Sequence, residues 1–237
     1  MTCRLVAQTF DALDPDRVAA FWSAVLGRPV LDEPRGPLLP GDETQVGLRF
    51  VPSRTAREGE NRVHLHLTSA SAANQQDTVA RALDLGASHL DVGQLPEEGH
   101  VVLADPDGNP FCVIPPGSTF LAGCGFLGEL AGEGSRDVGV FWAEALGWPL
   151  VWDENTETAV QSPHGGTKVA WGGGPPEPKH GRNRQRLEVA VAAAAPAEEI
   201  ERLVALGATR LDDLTDDAVE LADPDGNEFI LTSTAGE

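Results

Sequence analysis

Tyrosine is absent from this chain of 237 residues, and aromatic residues of all kinds make up only 5% of it. Aliphatic side chains must therefore fill most of any core, and a hydrophobic fraction of 41% suffices for that. Cysteine is scarce: Cys3, Cys112 and Cys124 are an odd number with no C-x-x-C spacing. That excludes a disulfide framework and speaks against a structural zinc site. No apolar run approaches the ~20 residues that a membrane helix requires. The opening Met1-Thr2-Cys3-Arg4-Leu5 has neither the basic nor the apolar region of a signal peptide, so a cytoplasmic protein is expected. Basic residues are also few. Seventeen Lys and Arg against 37 Asp and Glu leave a net charge of −20. A chain this acidic repels phosphate backbones and anionic lipid, which sets aside nucleic acid and membrane as partners. Solubility is the plain reading of that charge, and a cationic ligand the sharper one.

What the chain does contain is a repeat. Phe21-Trp22-Ser23-Ala24-Val25-Leu26-Gly27 returns as Phe141-Trp142-Ala143-Glu144-Ala145-Leu146-Gly147, displaced by 141 − 21 = 120 residues. Asn61-Arg62-Val63-His64-Leu65 returns as Asn183-Arg184-Gln185-Arg186-Leu187, and Leu85-Gly86-Ala87 as Leu206-Gly207-Ala208. Leu103-Ala104-Asp105-Pro106-Asp107-Gly108-Asn109 returns intact as Leu221 to Asn227. The order is kept and every displacement is near 120, as a tandem duplication requires. The turn-rich Pro115-Pro116-Gly117-Ser118 marks the junction, giving domains 1–118 and 119–237.

Each copy carries the same pattern. Arg4–Phe10 reads as a strand. Asp14 and Pro15 suit the N-cap and first position of a helix. Val18, Phe21, Trp22, Val25 and Leu26 then form one apolar helical face, closed by Gly27. A short strand is expected at Val46–Val51. In Arg62–Thr68, Val63, Leu65 and Leu67 alternate with His64 and His66, which predicts a strand with two distinct faces. A helix around Thr78–Leu85 stops at Gly86. Val101–Leu103 and Phe111–Ile114 flank an Asp-Gly turn, the signature of a hairpin. The expected class is α+β, each domain being a pair of βαβββ modules that form a curved mixed sheet around a cup.

The Phe-Trp-…-Leu-Gly helices, the strand Asn61-Arg62-Val63-His64-Leu65, the Leu-Gly-Ala helix end and the closing Asp-Pro-Asp-Gly-Asn turn together resemble the vicinal-oxygen-chelate (VOC) superfamily, in its glyoxalase/bleomycin-resistance-like branch. The resemblance spans nearly the whole chain, twice. It implies a fold and not an activity, since that superfamily holds lyases, isomerases, ring-cleaving dioxygenases, thiol transferases and drug binders. It also implies where a divalent metal would sit: on His, Gln or Glu from the first strand, the mid-domain strand and the strand after the Asp-Pro-Asp-Gly-Asn turn. The first-strand position, counted back from the Phe-Trp pair, falls at Ala7 and Leu127, neither a ligand. Gln8 is adjacent, but one residue along a strand turns a side chain to the opposite face. The mid-domain position is His64 in copy one and Arg186 in copy two, with Glu188 matching His66. The last is Cys112 in copy one and Ile230 in copy two. Only His64 and Cys112, in copy one, remain as candidate metal ligands.

Other features compete with plainer readings. Cys112 is either a nucleophile beside His64 or a small buried hydrophobe. Trp22 and Trp142 belong to helix faces and hence to the core. Trp148, Trp152 and Trp171 fall in the early strands and loops of copy two, near Gly172-Gly173-Gly174, and suit either a pocket wall or sheet packing. His164-Gly165-Gly166-Thr167-Lys168 lacks the spacing of a phosphate loop. Asp105 to Asn109 opens like a calcium loop, but Pro116 stands where that loop needs Glu. The resulting expectation is a small-molecule binder with a role in sequestration, resistance or accessory metabolism, lacking the family's full metal site. His64, His66 and Cys112 would line the cup of copy one, and Trp152, Trp171, Arg186 and Glu188 that of copy two. The alternative is a metal-dependent enzyme of the glyoxalase, lyase or dioxygenase type with a divalent metal in copy one. With two copies in one chain, either a monomer or a homodimer is expected.

Overall fold

The computed structural model describes residues 3–54, 61–173, 179, 181–192, 196–215 and 217–234. The first half of copy one contains β1 (Arg4–Ala12), α1 (Pro15–Leu26), β2 (Leu38–Leu39) and β3 (Gly47–Pro52). Its second half contains β4 (Val63–Leu67), α2 (Ala72–Asp84), β5 (Ser88–His89), β6 (Val101–Ala104) and β7 (Pro110–Val113). Copy two repeats the order with β8 (Leu127–Glu133), α3 (Arg136–Leu146), β9 (Leu150–Glu154), β10 (Glu157–Gln161) and β11 (Lys168–Gly172). It ends with β12 (Gln185–Ala192), α4 (Pro196–Ala205), β13 (Thr209–Thr215), β14 (Ala218–Ala222) and β15 (Glu228–Thr234). Gly174 and residues 193–195 of the Ala192–Ala195 run lie outside the described residues.

Local chemistry explains the helix ends. The Asp14 carboxylate accepts from Arg17 N at 3.1 Å, Pro15 takes the first turn, and Gly27 closes α1 with φ of 68°. Helix α2 begins earlier than its apolar spacing suggests, because Ser71 caps it by accepting from Asn74 N at 3.1 Å. No helix among the described residues is long and apolar enough to cross a membrane.

The strands form two curved mixed sheets of paired βαβββ modules. Sheet A runs β13-β14-β15-β12-β1-β3-β2, and sheet B runs β5-β6-β7-β4-β8-β11-β10-β9. Each sheet takes one module from each copy. Antiparallel pairing of β1 with β12 joins the halves of sheet A, and pairing of β4 with β8 joins those of sheet B. The two modules of one copy therefore belong to different sheets.

The repeated motifs tie those sheets together. Trp22 Nε1 on α1 donates to Asp105 at 3.1 Å, and Trp142 Nε1 on α3 donates to Asp223 at 3.4 Å. Asp105 also accepts from the backbone N–H of Asp107 and Asn109, and Asp223 from those of Asp225 and Asn227. The Phe-Trp helix and the Asp-Pro-Asp-Gly-Asn turn are thus two ends of one buried contact. Aromatic packing surrounds it: Trp22 lies edge-on to Phe111 and Trp142 edge-on to Phe229, with centroids 5.0 and 4.9 Å apart.

Candidate functional site

The period-two alternation of β4 decides the geometry. Leu65 and Leu67 are fully buried in the core, while His64 and His66 emerge on the opposite, cup-facing side. Strand pairing extends that side into two rows across sheet B. In one row Cys112 on β7, His66 on β4, Glu129 on β8 and Lys168 on β11 stand opposite one another in turn. In the next, His64 is followed by Ala131, Ala170, Ala159 and Trp152.

The two rows converge at the β4 end. Ligand atoms of His64, His66 and Cys112 lie within 4.8 Å of one another. His66 Nε2 is 2.9 Å from His64 Nε2, and His66 Nδ1 is 2.6 Å from a Glu129 oxygen. Burial would lower the His66 pKa, but hydrogen bonds with Cys112 and Glu129 outweigh it and raise it to about 9. His64 moves the other way, to about 4, through burial and then the charges of His66 and His100. Without an ion, His64 is a neutral lone-pair donor and His66 favours its protonated form beside Glu129, so an ion held by both rings would have to displace the His66 proton.

The second row provides a floor. Ala131 and Ala170 are too small to fill the space above them, leaving a cavity of about 440 Å³ bounded by His64, Glu129, Phe120, Trp152 and Trp171. Phe120 and Trp152 meet edge-to-face at 5.5 Å and form its far wall. Trp171 contributes an edge but is mainly core, stacked on Trp142 at 6.2 Å. Trp148, by contrast, lines a cavity of about 720 Å³ on sheet A.

Three readings from sequence need correction. First, Trp152 and Trp171 do not share a cup with Arg186 and Glu188. The tryptophans join His64 on sheet B, because each cup is assembled from both copies. Arg186 and Glu188 lie on β12 in sheet A, each in a buried ion pair: Arg186 with Asp11 at 2.5 Å, and Glu188 with Arg49 at 2.7 Å and with Arg35. Second, the counterpart of Ala7 in copy two is Glu129, not Leu127. Ala7 stands opposite Glu188, the counterpart of His66, and His66 stands opposite Glu129. Counting back from Phe-Trp failed because fewer residues separate the strand position from Phe-Trp in copy two, 141 − 129 = 12 against 21 − 7 = 14, one lost at the end of the strand and one at the start of the helix. Leu127 is instead buried in the core. Third, His66 rather than His64 stands opposite Cys112 on the adjacent strand. The acid-bearing alternation of Leu127-Gly128-Glu129-Leu130 was the signal in the sequence that could have found Glu129.

The donor chemistry fits a divalent ion. Two imidazoles and a thiol match the ligand types of zinc and of other first-row metals, and three protein donors leave positions open for a substrate. Glu129 on the far nitrogen of His66 is the second-layer carboxylate such sites use to fix a ring. On sheet A the corresponding positions are Arg186, Glu188, Ile230 and Ala7, and among the described residues no second cluster of three donors occurs.

A family model for the glyoxalase-like domain matches residues 7–114 and again 132–232. Among solved structures, glyoxalase I from Zea mays is similar over 98% of this chain and 92% of that one, at 15% identity and a TM-score of 0.67. A candidate dioxygenase from Bacillus subtilis subsp. subtilis str. 168 is similar over 98% and 85%, at 14% identity and a TM-score of 0.60. At such identities the likeness is one of fold. No curated protein matches the chain. With both halves matched by one family model, the chain belongs to the glyoxalase-like domain family of the VOC superfamily and carries two such domains in tandem.

Proposed function

We propose that this protein is a metal-dependent enzyme of the glyoxalase, lyase or dioxygenase type, acting on a small organic molecule in the sheet B cup. The observation that carries this reading is the convergence of His64, His66 and Cys112 within 4.8 Å beside an open cavity. His64, His66 and Cys112 would hold the ion. When bound, the ion supplies Lewis acidity toward substrate oxygens.

The chain's own residues then have distinct tasks. Glu129 fixes the His66 ring through Nδ1, so that Nε2 faces the cluster. Ala131 and Ala170 leave room for a flat substrate, which Phe120 and Trp152 bound at the far end. The aromatic wall and apolar floor suit the apolar body of a small organic substrate. Family likeness adds the reaction classes named here, and the donor cluster favours them over metal-free sequestration.

The test is metal content by mass spectrometry on protein purified without a tag or chelator, repeated after adding Mn, Fe, Ni, Co and Zn. The expected result is about one ion per chain, lost in His64→Ala. A chain that retains no ion under any of these conditions is a metal-free binder, and the enzyme reading falls.

A further inference from the structure

The chain is poor in basic residues, yet it concentrates them. Of its 17 Lys and Arg, Arg35, Arg54, Arg182, Arg184 and Arg186 line a single cavity of about 760 Å³ on sheet A. Asp11 is the sole described acidic residue in that lining. Three of the arginines alternate in Arg182-Asn183-Arg184-Gln185-Arg186, the run leading into β12. Arg186 lies within β12, Arg182 and Arg184 stand in the bends just before it, and Gln185 between Arg184 and Arg186 is buried. Arg35 enters from the loop before β2, and Arg54 stands exposed at the rim beyond β3. Val51, Leu214 and Ile230 make the cavity's apolar wall.

The acids around this cluster hold the arginines in place. Asp11 accepts from Arg186 at 2.5 and 3.0 Å. Arg182 pairs with Glu220, Arg184 with Asp107 at 3.2 Å, and Arg35 with Glu188. Glu188 and Glu220 flank Ile230 on the neighbouring strands of sheet A, so they hold the guanidiniums from beside the cavity's apolar wall. A guanidinium carries five donors in a rigid fork, and one carboxylate engages two of them. Arg186 also donates to the Asn183 carbonyl and Arg184 to that of Asp11, so these two are held within the fold, while Arg54 and the half-exposed Arg182 stand at the rim facing the cavity. The molecule as a whole repels anions, so a local excess of arginine around a partly apolar hollow is what an anion would require.

We infer that this cavity is a second binding site, separate from the sheet B cup, for a small organic anion. Its carboxylate or phosphate is clamped by the arginines, and its apolar body rests on Val51, Leu214 and Ile230. Ile230 stands where Cys112 stands on sheet B, so the site needs no metal. The inference does not depend on the catalytic reading of sheet B.

Calorimetric titration of the full-length protein tests it, at low ionic strength, with benzoate and phenyl phosphate as probes and benzyl alcohol as the uncharged control. At least one anion is expected to bind one per chain with Kd below about 1 mM. Whichever of the two binds more tightly identifies the head group the site prefers. Benzyl alcohol is expected not to bind, and added salt to weaken the anion. Arg54→Gln and Arg182→Gln are each expected to weaken binding about fivefold or more, while His64→Ala leaves it unchanged. Both arginines are substantially exposed, so these variants keep the fold, and thermal melts check that they do. No heat from either anion up to about 10 mM overturns the inference. So does equal binding of benzyl alcohol, or affinity indifferent to both arginine variants.

Discussion

Glu129 holds one nitrogen of His66, and that contact determines which way the imidazole presents its other nitrogen. Glu129→Gln keeps the shape of the side chain and removes its charge. Metal affinity, measured by competition with a chromogenic chelator, is expected to fall about 10- to 100-fold while the metal stoichiometry stays the same. Unchanged affinity would show that Glu129 does not act on the site through His66. Asp223 offers a test at the same scale in acid. Burial raises its pKa from 3.8 to about 6, against the hydrogen bonds it accepts from Asn227 and Trp142. The unfolded chain releases this proton first, so folding must retain a proton that the unfolded state has already lost. The contribution of Asp223 to stability therefore declines as pH rises from about 4 to about 6, and is constant above that. The unfolding free energy of the wild type minus that of Asp223→Asn is expected to shrink across this window. A flat difference would mean that Asp223 titrates as it does in water.

Helix α3 packs on β10 through a glycine. A Cβ on Gly139 would lie 2.1 Å from Thr158 Oγ1 and 2.5 Å from its Cβ. In an isolated helix Gly→Ala gains about 1 kcal/mol, but overpacking costs about 1–3 kcal/mol. Gly139→Ala is therefore expected to lower the thermal midpoint, although Ala19 occupies the matching place in α1. A raised midpoint would show that β10 yields easily. The contact between helix and turn gives a second prediction. Asp105→Ala strands the Trp22 Nε1 donor and the backbone N–H groups of Asp107 and Asn109. Each buried donor left unsatisfied costs about 1–3 kcal/mol. Urea unfolding is expected to show a loss of several kcal/mol, and a loss below about 1 kcal/mol would mean that water replaces the carboxylate.

The exchange of modules between copies governs the molecule as a whole. Residues 1–118, if expressed alone, expose the β1 edge that meets β12 and the β4 edge that meets β8. Unpaired edges of this kind associate. Light scattering is expected to find that fragment dimeric or aggregated, and co-expression with 119–237 to restore a folded one-to-one complex. A folded monomer of 1–118 would show that its two modules can close on each other. In the intact chain these contacts are internal, and the sheet B cup draws His64 from copy one and Trp152 and Trp171 from copy two.

The sequence by itself determined the duplication, the helix with its Asp14 cap and Gly27 stop, and the two-faced strand carrying His64 and His66. Each of these rests on periodicity or on a local backbone preference, which a run of neighbouring residues states in full. It also singled out Cys112, because the repeat placed that residue on the strand after the Asp-Pro-Asp-Gly-Asn turn. Tertiary structure alone decided which halves pair, and that choice moved Trp152 and Trp171 to the cup of His64 and left Arg186 and Glu188 in the other. Nothing in a strand's own pattern names its partner across the sheet. Glu129 was missed for a related reason: a strand and a helix each one residue shorter on the way to Phe141 shift the count, and only hydrogen-bond register restores it. The arginines around Asp11 come from segments far apart in sequence, so their common cavity exists only once the sheet has closed.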